Sequence, residues 1–151
     1  MLKIVQIKQS LKESQLQKNS ERVNALRNAL SKIQNLAIEL KKPIEDLTDN
    51  EVETILIKLS KQREESIEAF KKGNREDLVA KEQKELEILK EYIPAQMTIE
   101  ETKPIIIDLI QRLNIKDVRQ MGRVLAEIKK GYNNKIDMRI ASEIVKSILS
   151  Q

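Results

Sequence analysis

Residues 73–98, GNREDLVAKEQKELEILKEYIPAQMT, crowd the carboxylates of Glu76, Asp77, Glu82, Glu85, Glu87 and Glu91 into little more than one helix. Two acids held at a fixed separation in a cleft, one with its pKa displaced by burial, can perform general acid–base chemistry. A compact loop of oxygen donors can hold a hard cation. This spacing supplies neither arrangement. Leu78, Val79, Leu86, Leu89 and Ile93 recur at helical intervals and share their face with Glu82, while the other acids interleave with Lys81, Lys84 and Lys90. The stretch reads as a helix with a solvated charged face, on which Glu82 needs a basic partner and pairs such as Lys81 with Glu85 add only tenths of a kcal/mol. It then stops at Pro94, and no catalytic residue, cofactor or metal ligand is assigned.

The chain contains no cysteine and no histidine. That removes disulfides, thiolate nucleophiles, Cys/His metal sites and the usual neutral-pH base together. Charged residues make up 34% and aromatic residues 2% of its 151 positions, with three glycines and three prolines, a composition suited to long helices. The expected fold is all-α, and the length allows one domain or two small ones. The opening MLKIVQIKQSLKES lacks the continuous apolar run and cleavage-type end of a secretory signal, and no segment approaches a membrane span. A cytoplasmic protein with no membrane partner is expected.

The elements follow from periodicity and punctuation. Val23, Leu26, Leu30, Ile33, Ala37 and Leu40 form one stripe over residues 20–42, ended by Pro43 and preceded by a cap near Asn19 and Ser20. Leu2, Val5, Leu11 and Leu16 suggest a shorter helix before it. In LTDNEV, Thr48 and Glu51 form a capping box and Leu47 can staple onto Val52. The helix that follows carries Val52, Ile55, Leu56, Leu59, Ile67 and Phe70 inward; Gly73 is placed to end it left-handed, and Asn74 to cap the next. Pro94 forces Ile93 out of helical geometry, and Thr98 with Glu101 starts a new capping box. The expected organisation is an N-terminal domain of about four helices at 1–95 and a three-helix C-terminal domain at 96–151, with Tyr92, Ile93 and Met97 packing across the hinge. Pro104 predicts a start nearer Thr102, or a kink. Stripes of Ile106, Leu109, Ile110 and Leu113, of Val124, Leu125 and Ile128, and of Ile140, Ile144, Val145 and Ile148 mark the last three helices, with Asp137 capping the final one.

The formal charge of +4 is unevenly distributed. Residues 1–44 carry nine Lys/Arg against three acids, 45–101 nine against sixteen, and 102–151 ten against five. A polyanion would meet the basic flanks while the middle repels it; the alternative is ordinary solvated helix surface.

Two motifs, REDLVAKEQKELEILKEYIPAQMT and QMGRVLAEIKK followed by KID, resemble the GatB/YqeY family, small proteins similar to the tail region of the B subunit of glutamyl-tRNA/aspartyl-tRNA amidotransferase. The resemblance spans essentially the whole chain. It runs from Arg75, Asp77 and Leu78 through Lys81, Glu82, Glu85, Ile88 and Leu89 to Tyr92, Pro94 and Gln96, and resumes at Met121, Gly122, Val124, Lys129, Lys135 and Asp137. Where the family usually has glycine before that lysine, this chain has Asn134, the side chain that best tolerates a left-handed backbone after glycine. Gln120 stands where an acid is common. The resemblance implies an all-α domain followed by a three-helix head, and a tail that helps bind tRNA while catalysis belongs to other domains. The family's association is with carbon–nitrogen ligase activity using glutamine as amido-N-donor, yet no phosphate loop, amidase arrangement or metal site is visible here.

Lys116, Arg119, Arg123, Lys129, Lys130, Lys135 and Arg139, with Gly122 and Asn134, make the candidate nucleic-acid-binding set. With Tyr132 the only aromatic residue of the head, contact would be to sugar, phosphate and shape, aided by amides at helix starts. The competing reading is that these cations serve helix C-termini and solubility. Gly122, inside a helical pattern, signals either a closely passing helix, the favoured explanation, or a ligand. The leading functional reading is a non-catalytic module for tRNA or other structured RNA, associated with a tRNA-dependent amidotransferase or an aminoacyl-tRNA synthetase. A protein-interaction adaptor using the Val23 to Leu40 stripe or the surface around Tyr92 is the alternative, and a part in a glutamine-dependent ligase with other subunits ranks last.

Overall fold

The computed structural model describes residues 1–132 and 134–150. Among them the chain forms seven α-helices and no strand: α1 (Lys3–Leu16), α2 (Ser20–Glu39), α3 (Asp49–Lys72), α4 (Glu76–Lys90), α5 (Ile99–Arg112), α6 (Met121–Tyr132) and α7 (Met138–Leu149), with 3-10 turns at Ile44–Asp46 and Val118–Gln120. The all-α expectation holds. By contacts the chain divides into two compact units, Met1–Ile93 with α1 to α4 and Pro94–Gln151 with α5 to α7.

Helix starts follow the side chains that can serve free amides. Asn19 accepts from the Arg22 amide, Thr48 and Glu51 form a full capping box, Thr98 and Glu101 form a second, and Asp137 accepts from the Arg139 amide. α5 begins at Ile99, directly after its cap, and contains Pro104. The amide that Pro104 lacks would have met the carbonyl of Glu100, and both residues face solvent, so the helix starts earlier than the proline suggests.

Four helix ends share one device. The residue after the C-cap turns left-handed, at Lys18 (φ 58°), Lys41 (57°), Asn74 (56°) and Asn114 (54°). Its amide and the next one then close back on carbonyls of the last turn, as Asn74 does on Lys71 and Arg75 on Phe70. No glycine has a positive φ. Gly73 sits at φ −88°, so the left-handed role expected of it falls one residue later on Asn74; Asn74 therefore does not cap α4, which Arg75 precedes without a side-chain bond.

The first core joins Ile4 and Ile7 of α1, Leu26, Ala29 and Ile33 of α2, Val52 and Leu56 of α3 and Leu89 of α4, with Leu47 and Tyr92 from the flanking segments. Each such fully buried aliphatic side chain contributes about 1.5–3 kcal/mol. In α1 the inward set is Ile4, Ile7 and Ser14 with Leu11 partly covered, whereas Leu2, Val5 and Leu16 are exposed, the reverse of the expected stripe. Two isoleucines a turn apart outweigh the scattered leucines because both can reach α2 and α3. The second core gathers Ile106, Leu109 and Ile110 of α5, Val124 and Ile128 of α6 and Ala141, Ile144 and Val145 of α7, closed by Ile115 and Ile136 from the loops. Tyr92 and Ile93 pack in the first core and Met97 against the second.

Candidate nucleic-acid interface

Three of the six carboxylates, Glu82, Glu85 and Glu91, tie to other helices, while Asp77 pairs locally with Arg75. Arg63 of α3 lies between Glu82 at 3.1 Å and Glu85 at 3.2 Å, with both acid side chains 14% exposed. Lys84 pairs with Glu21 of α2 at 2.9 Å and Lys90 with Glu64 of α3 at 3.9 Å. Arg22 grips Glu91 with two nitrogens and also donates to the Tyr92 hydroxyl at 3.0 Å; the Glu91 bonds raise the guanidinium's already high pKa. Glu82 thus finds the basic partner its inward position requires, while Glu85 turns to Arg63 instead of Lys81. In a groove lined by Glu21, Arg22, Lys84, Glu87 and Glu91, Lys84 already matches Glu21 and Arg22 matches Glu91. Among the described residues no three potential ligands converge as a metal site. The cluster is a scaffold element.

The adaptor reading loses its surfaces. Val23, Leu26, Ile33 and Ala37 are buried and Leu30 packs against the core, leaving only Leu40 of that stripe exposed, and Tyr92 is buried too. Among the described residues no helix is long and apolar enough to cross a membrane.

The C-terminal unit sorts its cations into two groups. Four are held by nearby acids: Arg112 by Asp108 at 2.8 Å, Arg119 by Asp117 at 2.7 Å, Lys130 by Glu127 at 3.4 Å and Arg139 by Glu143 at 3.9 Å. The Arg119 guanidinium holds the Asp117 carboxyl below its ordinary range, helped by the Arg119 amide. Lys116, Arg123, Lys129 and Lys135 are exposed and have no ion pair among the described residues. Arg123 and Lys130, seven positions apart on α6, stand within about 20° of each other around the helix axis, opposite buried Val124 and Ile128; Lys129 lies on the flank.

Three starts in this unit already have side-chain caps where phosphate contact was expected. Asp117 and Asp137 already accept from the first amides of the Val118–Gln120 turn and α7, and Thr98 with Glu101 serves α5. A carboxylate in that position repels phosphate. Gly122 is also corrected: it is exposed, and a Cβ there would meet nothing within 4 Å, so no helix passes close.

Asn134 adopts φ 66°, the left-handed geometry its position was expected to need. Its main-chain oxygen accepts from Gln96 Nε2 at 2.6 Å, and the Lys135 oxygen accepts from the Met97 amide at 2.8 Å. The ends of the two sequence motifs therefore meet in space. Gln96 was absent from the predicted site set; the available signal was a polar amide just after Pro94, where no helix uses its side chain.

A helical scaffold tied by inter-helix ion pairs, joined in sequence to a three-helix unit with uncompensated lysine and arginine, defines an all-α protein. The chain belongs to the YqeY family: the family model described as Yqey-like protein matches residues 4–149. It is similar to proteins named Altered inheritance of mitochondria protein 41, mitochondrial. The Lachancea thermotolerans protein is 37% identical over 90 residues, covering 60% of this chain and 47% of the relative. The Kluyveromyces lactis protein is 40% identical over 89 residues, covering 59% and 47%. The Saccharomyces cerevisiae protein is 31% identical over 127 residues, covering 81% and 68%. The chain thus spans about half the length of the first two relatives. Their names overturn the expectation of a cytoplasmic protein, since these relatives are mitochondrial by name. Composition carries no information about that compartment.

Proposed function

We propose that the protein is a non-catalytic RNA-binding module whose C-terminal unit docks on the sugar-phosphate backbone of tRNA or another structured RNA. Its closest functional setting is association with a tRNA-dependent amidotransferase or an aminoacyl-tRNA synthetase. The observation that carries this reading is the asymmetry of charge satisfaction. The acids Asp108, Asp117, Glu127 and Glu143 all pair with a neighbour in the chain and Asp137 caps α7, while Lys116, Arg123, Lys129 and Lys135 keep their full charge toward solvent. Such cations release condensed counterions from a nucleic acid on binding. Arg123 supplies a planar fork for phosphate, and the lysines supply point charges.

The test is titration with tRNA at several ionic strengths. Four phosphate contacts give a slope of log affinity against log salt of about −3 to −4. Alanine at Arg123, Lys129 or Lys135 lowers affinity with little change in preference among tRNAs, whereas alanine at Arg139 or Lys130, whose charges are already matched, costs less. Curves for wild type and the Arg123, Lys129 and Lys135 variants that coincide at every salt concentration defeat the reading.

A further inference from the structure

We propose that Gln96 is a positioning residue for this interface: by bonding the Asn134 carbonyl it fixes the 134–136 turn and holds Lys135 where a phosphate can meet it. The inference rests on the RNA-binding reading above. The peptide around Lys135 is held on several sides. The amides of Lys135 and Ile136 both donate to the Tyr132 oxygen, at 3.0 and 3.3 Å, the Lys135 oxygen accepts from Met97, and the Ile136 side chain is buried in the second core. Lys135 itself is exposed between these anchors. On the other side of the same peptide the Asn134 oxygen accepts from Gln96 Nε2 at 2.6 Å.

Two physical effects follow. A fixed Cα leaves only side-chain freedom to be lost when Lys135 binds, which lowers the ordering cost of association. The amide donor also covers a carbonyl that would otherwise present partial negative charge beside an incoming phosphate. Because Gln96 is exposed, its removal costs the fold little. The effect falls on binding.

The experiment compares the full chain with Gln96→Ala, Gln96→Glu, Lys135→Ala and the double variant Gln96→Ala/Lys135→Ala, each titrated with unfractionated tRNA across salt. At about pH 7.5 Gln96→Ala is expected to lose about two- to threefold in affinity with the salt slope kept, because Lys135 retains its charge and its other anchors; Gln96→Glu loses more, and Lys135→Ala loses about three- to tenfold and lowers the slope by about 0.7–0.9. The double variant binds no more weakly than Lys135→Ala alone, because both changes act on one contact. Lowering the pH to about 4 restores part of the Gln96→Glu loss relative to Gln96→Ala at the same pH, since a neutral carboxyl can again donate to the Asn134 oxygen. The chain has no histidine to confuse that window. Additive losses in the double variant, or Gln96 variants that bind as wild type while Lys135→Ala weakens, overturn the positioning role alone. Wild-type protein without tRNA affinity overturns the RNA reading and this inference with it.

Discussion

The Gln96 side-chain nitrogen and the Asn134 main-chain oxygen lie 2.6 Å apart although 38 residues separate them in sequence. This bond links the break after α4 to the turn between α6 and α7. The turn depends on Asn134 tolerating φ 66°. Replacing Asn134 with valine is expected to leave the protein about 1–2 kcal/mol less stable than replacing it with glycine, because a β-branched residue resists the left-handed region. Urea denaturation of the two variants measures the difference, and equal midpoints would remove the strain argument.

Lys41 ends α2 at φ 57° and is exposed. Glycine adopts that geometry without a Cβ clash. Lys41→Gly should raise stability by about 0.5–1 kcal/mol, after the greater chain entropy of the unfolded glycine is counted, whereas Lys41→Ala should give no gain. Thermal melts of the pair decide it.

Gly122 lies in α6 with open space where a Cβ would stand. Gly122→Ala should therefore stabilise the protein by about 0.5–1 kcal/mol through helix propensity. A fall in melting temperature would reveal a close neighbour that the structure does not contain.

Arg63 holds two largely covered carboxylates, Glu82 and Glu85. Arg63→Ala should cost about 2 kcal/mol because it leaves both without a counter-charge. Adding Glu82→Gln and Glu85→Gln to that variant should recover much of the loss. Equal stability of the single and triple variants would show that the charges matter less than the packing of the arginine stem.

Glu51 is held below its ordinary carboxylate range by the Lys42 ammonium first and the Thr48 amide second. A depressed folded-state value means that folding favours the ionised form, so this contribution is fully present above the unfolded value of about 4.3 and is lost as pH falls through the folded one. The stability difference between wild type and Glu51→Gln should stay level from about pH 6 to 8 and shrink below about pH 4. Denaturation midpoints across that range test it, and a difference that grows on acidification would contradict the sign.

The sequence alone determined the secondary structure and most of the two cores. Apolar residues at helical spacing bury themselves wherever a partner helix exists, and Thr48, Thr98 and Asp137 satisfy amides a few residues away, so these features depend on local chemistry. It also indicated that Glu82 would need a basic partner, since a carboxylate on an inward face has few alternatives. What the sequence left open was decided by distances between remote segments. Only the tertiary structure assigned Arg63 to both Glu82 and Glu85, turned Ile4 and Ile7 inward in place of Leu2 and Val5, left Gly122 without a neighbour, and brought Gln96 to Asn134. It also separated the cations matched by nearby acids from Lys116, Arg123, Lys129 and Lys135. Charge along a chain fixes how many cations there are, but the strength of each toward an outside anion depends on which acids the fold places within about 4 Å of it.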